Sequence, residues 1–186
     1  MRVVAGSLKG RVLTAPRGDR TRPTADRVKE ALFSILGSLD GFSVLDLYAG
    51  TGALGIEALS RGASGAMFVE SSHQALKCLT SNVSGLGLAE RSRVIHASVE
   101  RAGREISDRA PYDVIFCDPP WSKLDAVWDL LARSGIGRLL TPGGRLVLEH
   151  PSNKTIDGAA WVELCPILTR AWGDSAVSIL ARGEPS

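Results

Sequence analysis

The chain has 186 residues, of which 44% are hydrophobic and 23% charged, and its formal net charge is +2. This length and composition are typical of one soluble globular domain with a sizeable core. No apolar run approaches the roughly 20 residues that cross a bilayer, and no signal-peptide pattern is visible, so we expect neither a membrane anchor nor export. The three cysteines form no CxxC pair, which favours free thiols in a reducing cytoplasm over a metal site; they are Cys78, Cys117 and Cys165.

Basic side chains are concentrated near the N-terminus. Residues 1–29 contain eight lysines and arginines against two aspartates, a local charge of +6, whereas the remainder carries 14 basic and 18 acidic residues, which gives −4. This asymmetry favours a polyanionic partner, because phosphate neutralisation dominates nucleic-acid affinity; a solvated tail is the alternative. The side chains that we predict to contact nucleic-acid phosphates are Arg2, Lys9, Arg11, Arg20, Arg22 and Arg27.

The basic segment also shows signs of local structure. Residues 2–14 resemble two short strands around a Gly6–Gly10 turn, which predicts a small β-hairpin. Thr24 can cap a helix that runs to about Leu36, and Gly37 is expected to end it. The apolar face of this helix is predicted to comprise Val28, Leu32, Ile35 and Leu36.

Beyond residue 38, apolar strands alternate with helical stretches. The predicted strands cover residues 44–47, 66–70, 93–97, 112–117 and 144–149. The predicted helices cover residues 53–62, a stretch from Ser71 or Ser72 to about residue 86, and residues 99–107 and 124–132. This alternation is typical of a parallel sheet with helices on both faces.

The last two predicted strands follow a different pattern. Residues 161–165 and 175–180 have no helix between them, and the turn signal Trp172-Gly-Asp174 connects them, so we expect an antiparallel hairpin. The predicted fold is therefore an α/β, Rossmann-like domain at residues 38–183, with a seven-stranded and mostly parallel sheet. A basic hairpin-and-helix arm at residues 1–37 would precede it.

A glycine-rich turn follows the first strand of this domain. Gly50, Gly52 and Gly55 let the backbone turn sharply, and the next helix then begins with free N–H groups that suit a polar ligand. Glu70 ends the second strand 20 residues after Gly50, where an acid can accept both ribose hydroxyls of a nucleotide. These features suit NAD and S-adenosylmethionine equally.

Asp46 lies inside the first strand, which is an unusual position for a charge. Burial there costs several kcal/mol unless the carboxylate is paired or hydrogen-bonded. Backbone N–H groups of the glycine loop could compensate it, and so could a ligand ammonium. S-adenosylmethionine carries such an ammonium and NAD does not, although a purely bracing role for Asp46 also fits.

The sequence Asp118-Pro-Pro-Trp121 closes the fourth strand, at the edge where open α/β sheets bind ligands. The two prolines remove N–H donors, which leaves the carboxylate of Asp118 and the carbonyl of Pro119 as acceptors for an exocyclic amine. Trp121 offers a flat face on which a base can stack. Such an arrangement predicts methyl transfer to an amine by orientation and preorganised electrostatics, with Asp118 as a candidate proton acceptor.

With these motifs the chain resembles the class I S-adenosylmethionine-dependent amino-methyltransferases, which carry [DNS]-P-P-[YFW]. Among them it is most similar to the RsmD family of 16S rRNA guanine-N2 methyltransferases. The resemblance covers nearly the whole chain, and the pair Arg22-Pro-Thr and Asp118-Pro-Pro is its specific part. The matching segments are residues 2–11, 22–33, 45–55, 68–70, 118–120 and 144–149.

The resemblance implies roles for individual residues. The catalytic set would be Asp118, Pro119, Pro120 and Trp121. The S-adenosylmethionine site would comprise Arg22, Thr24, Asp46, Tyr48, Gly50, Gly52, Glu70, Ser71, Ser98, Val99 and Asp118. Ser98 stands where such families often place an acid that reads the adenine amine, and Trp121 stands where phenylalanine or tyrosine is commoner.

The predicted function is methyl transfer from S-adenosylmethionine to the N2 amine of a guanine in 16S rRNA. We expect a cytoplasmic monomer without a bound metal, acting on an assembling or assembled small ribosomal subunit. Amino-methylation of adenine N6 or cytosine in DNA remains an alternative, because the same acceptors suit any exocyclic amine. An NAD-dependent oxidoreductase and a non-catalytic RNA-binding assembly factor are two further alternatives.

Overall fold

The predicted fold class is confirmed by the structure, a computed structural model that describes residues 1–16, 23–161 and 163–183. Within them, seven strands form one sheet in the order β3-β2-β1-β4-β5-β7-β6. The strands are β1 (Ser43–Leu47), β2 (Gly65–Glu70), β3 (Ser92–His96), β4 (Tyr112–Cys117), β5 (Leu140–Pro151), β6 (Leu164–Trp172) and β7 (Ser175–Arg182). The first five are parallel, and β7 pairs antiparallel with β5 and β6, as predicted.

Helices cover both faces of this sheet. They are α1 (Pro23–Leu36), α2 (Ala53–Ser60), α3 (His73–Gly85), α4 (Gly103–Ser107) and α5 (Leu124–Ser134). Residues of α1, α2 and α3 share one hydrophobic core, and residues of α4 and α5 share the other. Among the described residues, no helix is both long and apolar enough to cross a membrane.

The alternation of side chains along the strands assigns the acidic residues to one face. Phe116 and Val147 point into the core beneath α1, α2 and α3, whereas their neighbours Cys117 and Leu148 point to the opposite core. Residues two positions after Phe116 and Val147 return to the first face. Asp118 and Glu149 are therefore directed to the side of the sheet on which α1 packs.

The N-terminal arm is tied to the domain through buried polar groups of α2. Glu57 is fully buried and accepts hydrogen bonds from the backbone N–H groups of Val4 (2.8 Å) and Ala5 (2.9 Å). It also forms ion pairs with Lys29 of α1 (3.4 Å) and Arg61 (2.9 Å). This network holds the first residues, α1 and α2 together.

Asn82 of α3 holds the arm in place at Thr14. Its Oδ1 accepts from the backbone N–H of Thr14 at 2.7 Å, and its Nδ2 donates to the carbonyls of Thr14 and Thr51, both at 3.0 Å. Thr51 belongs to the glycine-rich turn, so one buried amide joins the arm to that turn.

Several predicted boundaries need correction. The arm pairs only through an isolated antiparallel bridge between Arg2 and Val12, not through two strands. Helix α1 begins at Pro23, because proline favours the first turn of a helix, so Thr24 lies inside the helix rather than at its cap. Ile35, which was predicted to lie on the apolar face of this helix, is 39% exposed.

Two further boundaries lie later in the chain than predicted. Helix α4 starts at Gly103 rather than near residue 99. Strand β6 begins at Leu164, because Trp161 is buried after a 3-10 turn and Glu163 has a positive φ of 65°, which is incompatible with a strand.

Candidate active site

The turn after β1 has the backbone of a ligand-binding loop. Gly50 and Gly52 have φ values of 56° and 82°, and the non-glycine Tyr48 also has a positive φ of 58°. A positive φ in a bulky residue costs free energy and is concentrated at functional sites. Burial raises the pKa of Tyr48 to about 12, so its hydroxyl stays neutral. Helix α2 begins directly after Gly52.

Gly55 has a packing role rather than a role in the turn. A Cβ at this position would lie 2.3 Å from the ring of Phe68, so glycine is needed for α2 to approach the sheet. The backbone N–H of Gly55 donates to Oδ2 of Asp46 at 2.8 Å. The close approach of α2 therefore also provides a hydrogen bond to the buried carboxylate.

Asp46 is only partly compensated by that hydrogen bond. Burial raises its pKa to about 8, the Gly55 hydrogen bond opposes this rise, and the nearby charges of Asp118 and Glu70 add to it. A cationic ligand lowers the free energy of a buried carboxylate, since the positive charge stabilises the ionised form. The site is thus suited to a ligand ammonium.

Glu70 braces the two loops that surround the same site. Its Oε2 accepts from the backbone N–H of Gly50 at 2.7 Å, and its Oε1 accepts from that of Ser72 at 2.6 Å. Each carboxylate oxygen has two acceptor positions, so one on each oxygen remains for a ligand hydroxyl. Glu70 can therefore fix both loops and, at the same time, bind the hydroxyls of a ribose.

The predicted adenine side of the pocket has a different character. Ser71 is exposed, and its carbonyl lies 3.3 Å from Nε2 of His96. Val99 is buried. Half-buried Ser98 lies close enough to the carboxylate of Glu100 to lower the pKa of that acid. Sequence reasoning missed Glu100, which supplies a carboxylate two residues after the position where it was expected.

At the end of β4, the Asp-Pro-Pro-Trp segment presents acceptors and an aromatic face. Asp118 is open to solvent on one side, yet the surrounding protein raises its pKa to about 6 by burial. The carbonyl of Pro120 accepts from Lys123 N–H at 2.8 Å. The carbonyl of Pro119 has no such partner among the described residues. Trp121 is 44% exposed, so its ring is accessible to a base.

Glu149 lies beside Asp118 and was given no role by sequence reasoning. Cys117 of β4 pairs with Leu148 of β5, so Asp118 and Glu149 follow as neighbours on adjacent strands. Burial raises the pKa of Glu149 to about 8, and the charge of Asp118 contributes to the rise. An acid at the end of the fifth predicted strand was the available signal.

Helix α1 leads from the opposite edge of the sheet toward these acids. Arg145 of β5 pairs with Val114 near the start of β4. It donates to the carbonyl of Leu36 at 2.9 Å, so the C-terminal end of α1 lies near the edge of the sheet where the parallel strands begin. Its 14 residues span about 21 Å. The start of α1 is accordingly directed to the edge where Asp118 and Glu149 lie.

The predicted phosphate contacts differ in their surroundings. Lys9 and Arg27 are exposed. Arg2 is also exposed but pairs with Asp26 at 3.2 Å, and Arg11 donates to the carbonyl of Gly85 at 3.4 Å. Arg20 and Arg22, together with the side chain of Thr24, lie outside the described residues.

Lys29 contributes to the local charge of +6 but is not available to a partner. It is buried, pairs with Glu57 and donates to the carbonyl of Arg2. Burial lowers its pKa, and the charge of Glu57 opposes that shift. Part of the basic character of the arm is thus structural.

Comparisons with known proteins identify close relatives. Residues 1–180 match the family profile described as "Conserved hypothetical protein 95". "Putative rRNA methyltransferase YlbH" of Bacillus subtilis is 42% identical over 154 residues, which cover 81% of this chain and 82% of that protein. "Ribosomal RNA small subunit methyltransferase D" of Escherichia coli K12 is 35% identical over 139 residues, which cover 73% and 68%. The solved structure "Putative methyltransferase yhhF" from Escherichia coli has a TM-score of 0.81 and 28% identity, covering 100% of this chain and 99% of that chain.

Proposed function

The chain belongs to the Conserved hypothetical protein 95 family, the family of the RsmD methyltransferases, and on that premise we propose that it methylates the N2 amine of a guanine in 16S rRNA. The observation that carries the proposal is the pair of acceptors at Asp118 and Pro119. Both lie at the sheet edge that also carries the glycine-rich turn.

The residues in and around that turn fit S-adenosylmethionine. Asp46 would hold the ammonium of its methionine part, Glu70 its ribose hydroxyls, and the backbone around Gly50 and Gly52 would pass close to it. The residues proposed to complete the cofactor site are Arg22, Thr24, Tyr48, Ser71, Ser98 and Val99. Glu100 is the nearby carboxylate for the adenine amine. When bound, the cofactor supplies an electrophilic methyl group on a sulfonium.

The chain's own contribution to the reaction is orientation of the target amine. The carboxylate of Asp118 and the carbonyl of Pro119 each accept one N2 hydrogen, which directs the nitrogen lone pair away from them. Pro120 keeps the carbonyl of Pro119 rigid, and Trp121 stacks on the base. During methyl transfer the amine would gain positive charge, which Asp118 would stabilise before it takes up the released proton.

A duplex guanine cannot reach Trp121 while it is stacked and paired. The target base would therefore be unpaired or flipped out of its stack. Exposed Lys9 and Arg27 are suited to hold the flanking phosphates. We propose the arm at residues 1–37 as the RNA-docking part and residues 38–183 as the catalytic part of a cytoplasmic, monomeric enzyme that acts on the small ribosomal subunit.

The test combines cofactor binding with product analysis. Calorimetry should detect binding of S-adenosylhomocysteine and none of NADH. Small-subunit particles from cells that lack the enzyme should then accept labelled methyl groups from S-adenosylmethionine, and nucleoside analysis should identify N2-methylguanosine. Label in N6-methyladenosine or in methylated DNA would identify a different amino-methyltransferase, and NADH binding would contradict the proposal.

A further inference from the structure

We propose that Glu149 reads the N1–H of the target guanine and thereby restricts the proposed reaction to guanine. This inference rests on the proposed function and extends it, because Asp118 and Pro119 alone fit the exocyclic amine of any base. Glu149 would touch the substrate without taking part in methyl transfer.

The register of the sheet places Glu149 beside Asp118. The last pairs between the parallel strands β4 and β5 are Phe116 with Val147 and Cys117 with Leu148. Phe116 and Val147 both belong to the core on the α1 side, so the alternation directs Asp118 and Glu149 to that same side. Neighbouring parallel strands lie about 4.8 Å apart.

Glu149 also differs from the other carboxylates of this sheet edge in its hydrogen bonding. Asp46 accepts from Gly55, and Glu70 accepts from two backbone N–H groups. Within the described parts of the chain, neither Glu149 nor Asp118 accepts a hydrogen bond from a protein group. A half-buried carboxyl without a protein donor is an acceptor for a ligand donor.

The two neighbouring acceptors match the edge of guanine and not those of the other bases with amines. Guanine presents N1–H and N2–H side by side, both of them donors. Adenine and cytosine present an amine next to a ring nitrogen that is itself an acceptor, so its lone pair would face the oxygens of Glu149. Asp118 can therefore hold the amine of any of these bases, whereas Glu149 in its ionised form, which has no donor, is satisfied only by the N1–H of guanine.

The test changes both members of the proposed contact, the target base and residue 149. Small-subunit particles are reconstituted with guanine or with 2-aminopurine at the methylated position. The latter keeps the N2 amine, has an N1 acceptor in place of N1–H and lacks O6, a loss that is the same for every enzyme variant. Wild-type enzyme is compared with Glu149→Gln, whose amide N–H can donate to the N1 of 2-aminopurine, and with the exposed control Glu105→Gln.

The measured quantity is the ratio of kcat/KM for guanine to kcat/KM for 2-aminopurine, determined above the Glu149 pKa of about 8 so that its carboxyl is ionised. Because one preparation provides both values, the ratio is independent of the fraction of folded protein. We expect this ratio to be about 100 for wild type and for Glu105→Gln, which means a preference for guanine. For Glu149→Gln we expect the two kcat/KM values to differ from each other by less than about 3-fold.

The outcomes separate this inference from the proposed function. If all three proteins methylate guanine and Glu149→Gln keeps the wild-type ratio, the role of Glu149 is overturned while guanine methylation stands. If wild type transfers no methyl group to the guanine particles, the proposed function falls and this inference falls with it.

Discussion

The two polar regions on the α1 side of the sheet differ in how their carboxylates are hydrogen-bonded. Glu57, beneath the arm, has two backbone N–H donors and two cationic partners. Asp118 and Glu149, at the end of the sheet, have no protein donor among the described residues and have raised pKa values. Burial of a carboxylate costs free energy, and among the described residues protein groups offset that cost at Glu57 but not at Glu149.

The difference indicates what each region is for. A fully compensated carboxylate fixes chain segments and leaves no acceptor for a ligand. Carboxylates that accept no hydrogen bond from the described residues retain their acceptors for a bound base. On this basis we expect substitutions beneath the arm to change stability and substitutions at the sheet edge to change catalysis.

The largest effect is expected for Glu57→Ala. This change removes the carboxylate that accepts from two backbone N–H groups and forms the ion pair with buried Lys29. We expect the free energy of unfolding to fall by about 4 kcal/mol in urea denaturation. The exposed control Glu105→Ala should change it by less than about 0.5 kcal/mol, and a similarly small change for Glu57→Ala would contradict a fixing role.

Asp118→Ala should have the next largest effect, and on catalysis instead of stability. Loss of one of the two proposed acceptors should lower kcat about 100-fold, roughly 2.7 kcal/mol of transition-state stabilisation. The urea midpoint should stay close to wild type. Full methylation by this variant would show that the chain acts without Asp118.

Trp121→Ala should have a moderate effect that depends on the aromatic ring. Stacking on an aromatic side chain contributes about 1–3 kcal/mol per base, so we expect kcat/KM for RNA to fall about 10-fold or more. Trp121→Phe retains a stacking face and should restore most of the activity. If the Phe variant is as impaired as the Ala variant, the ring does not act by stacking.

The smallest effect is expected from pH. Asp118 accepts on both oxygens only when ionised, and burial raises its pKa to about 6. The value of kcat/KM should therefore show a one-proton limb as the pH is lowered through about 6, below any limb near 8 that Asp46 and Glu149 contribute. Asp118→Asn keeps one acceptor and cannot titrate, so its residual activity should lack this acidic limb; a limb that persists in the variant would assign the titration to another group.

The sequence predicted the sheet because its strands are marked by local signals. Apolar runs, the glycine-rich turn and Trp172-Gly-Asp174 each determine structure within a few residues. Asp46 and Asp118 were also predictable from local sequence, because an acid inside a strand or directly after one is unusual whatever residues it later contacts. Strand β6 was misplaced because a positive φ at Glu163 has no local signature.

Features that depend on distant segments could not be predicted. The role of Glu57 arises from contacts with residues 53 and 52 positions earlier in the chain. The proximity of Glu149 to Asp118 depends on the register between β4 and β5, which a single sequence does not determine. The asparagine link between Thr14 and Thr51 is of the same kind.

The most direct test of the account is a crystal structure of the enzyme with S-adenosylhomocysteine and an RNA that contains the methylated site. The account predicts the guanine stacked on Trp121, with its N2 about 3 Å from a carboxylate oxygen of Asp118 and from the carbonyl of Pro119. A base whose amine points to solvent, or an Asp118 side chain turned away from it, would contradict the central claim.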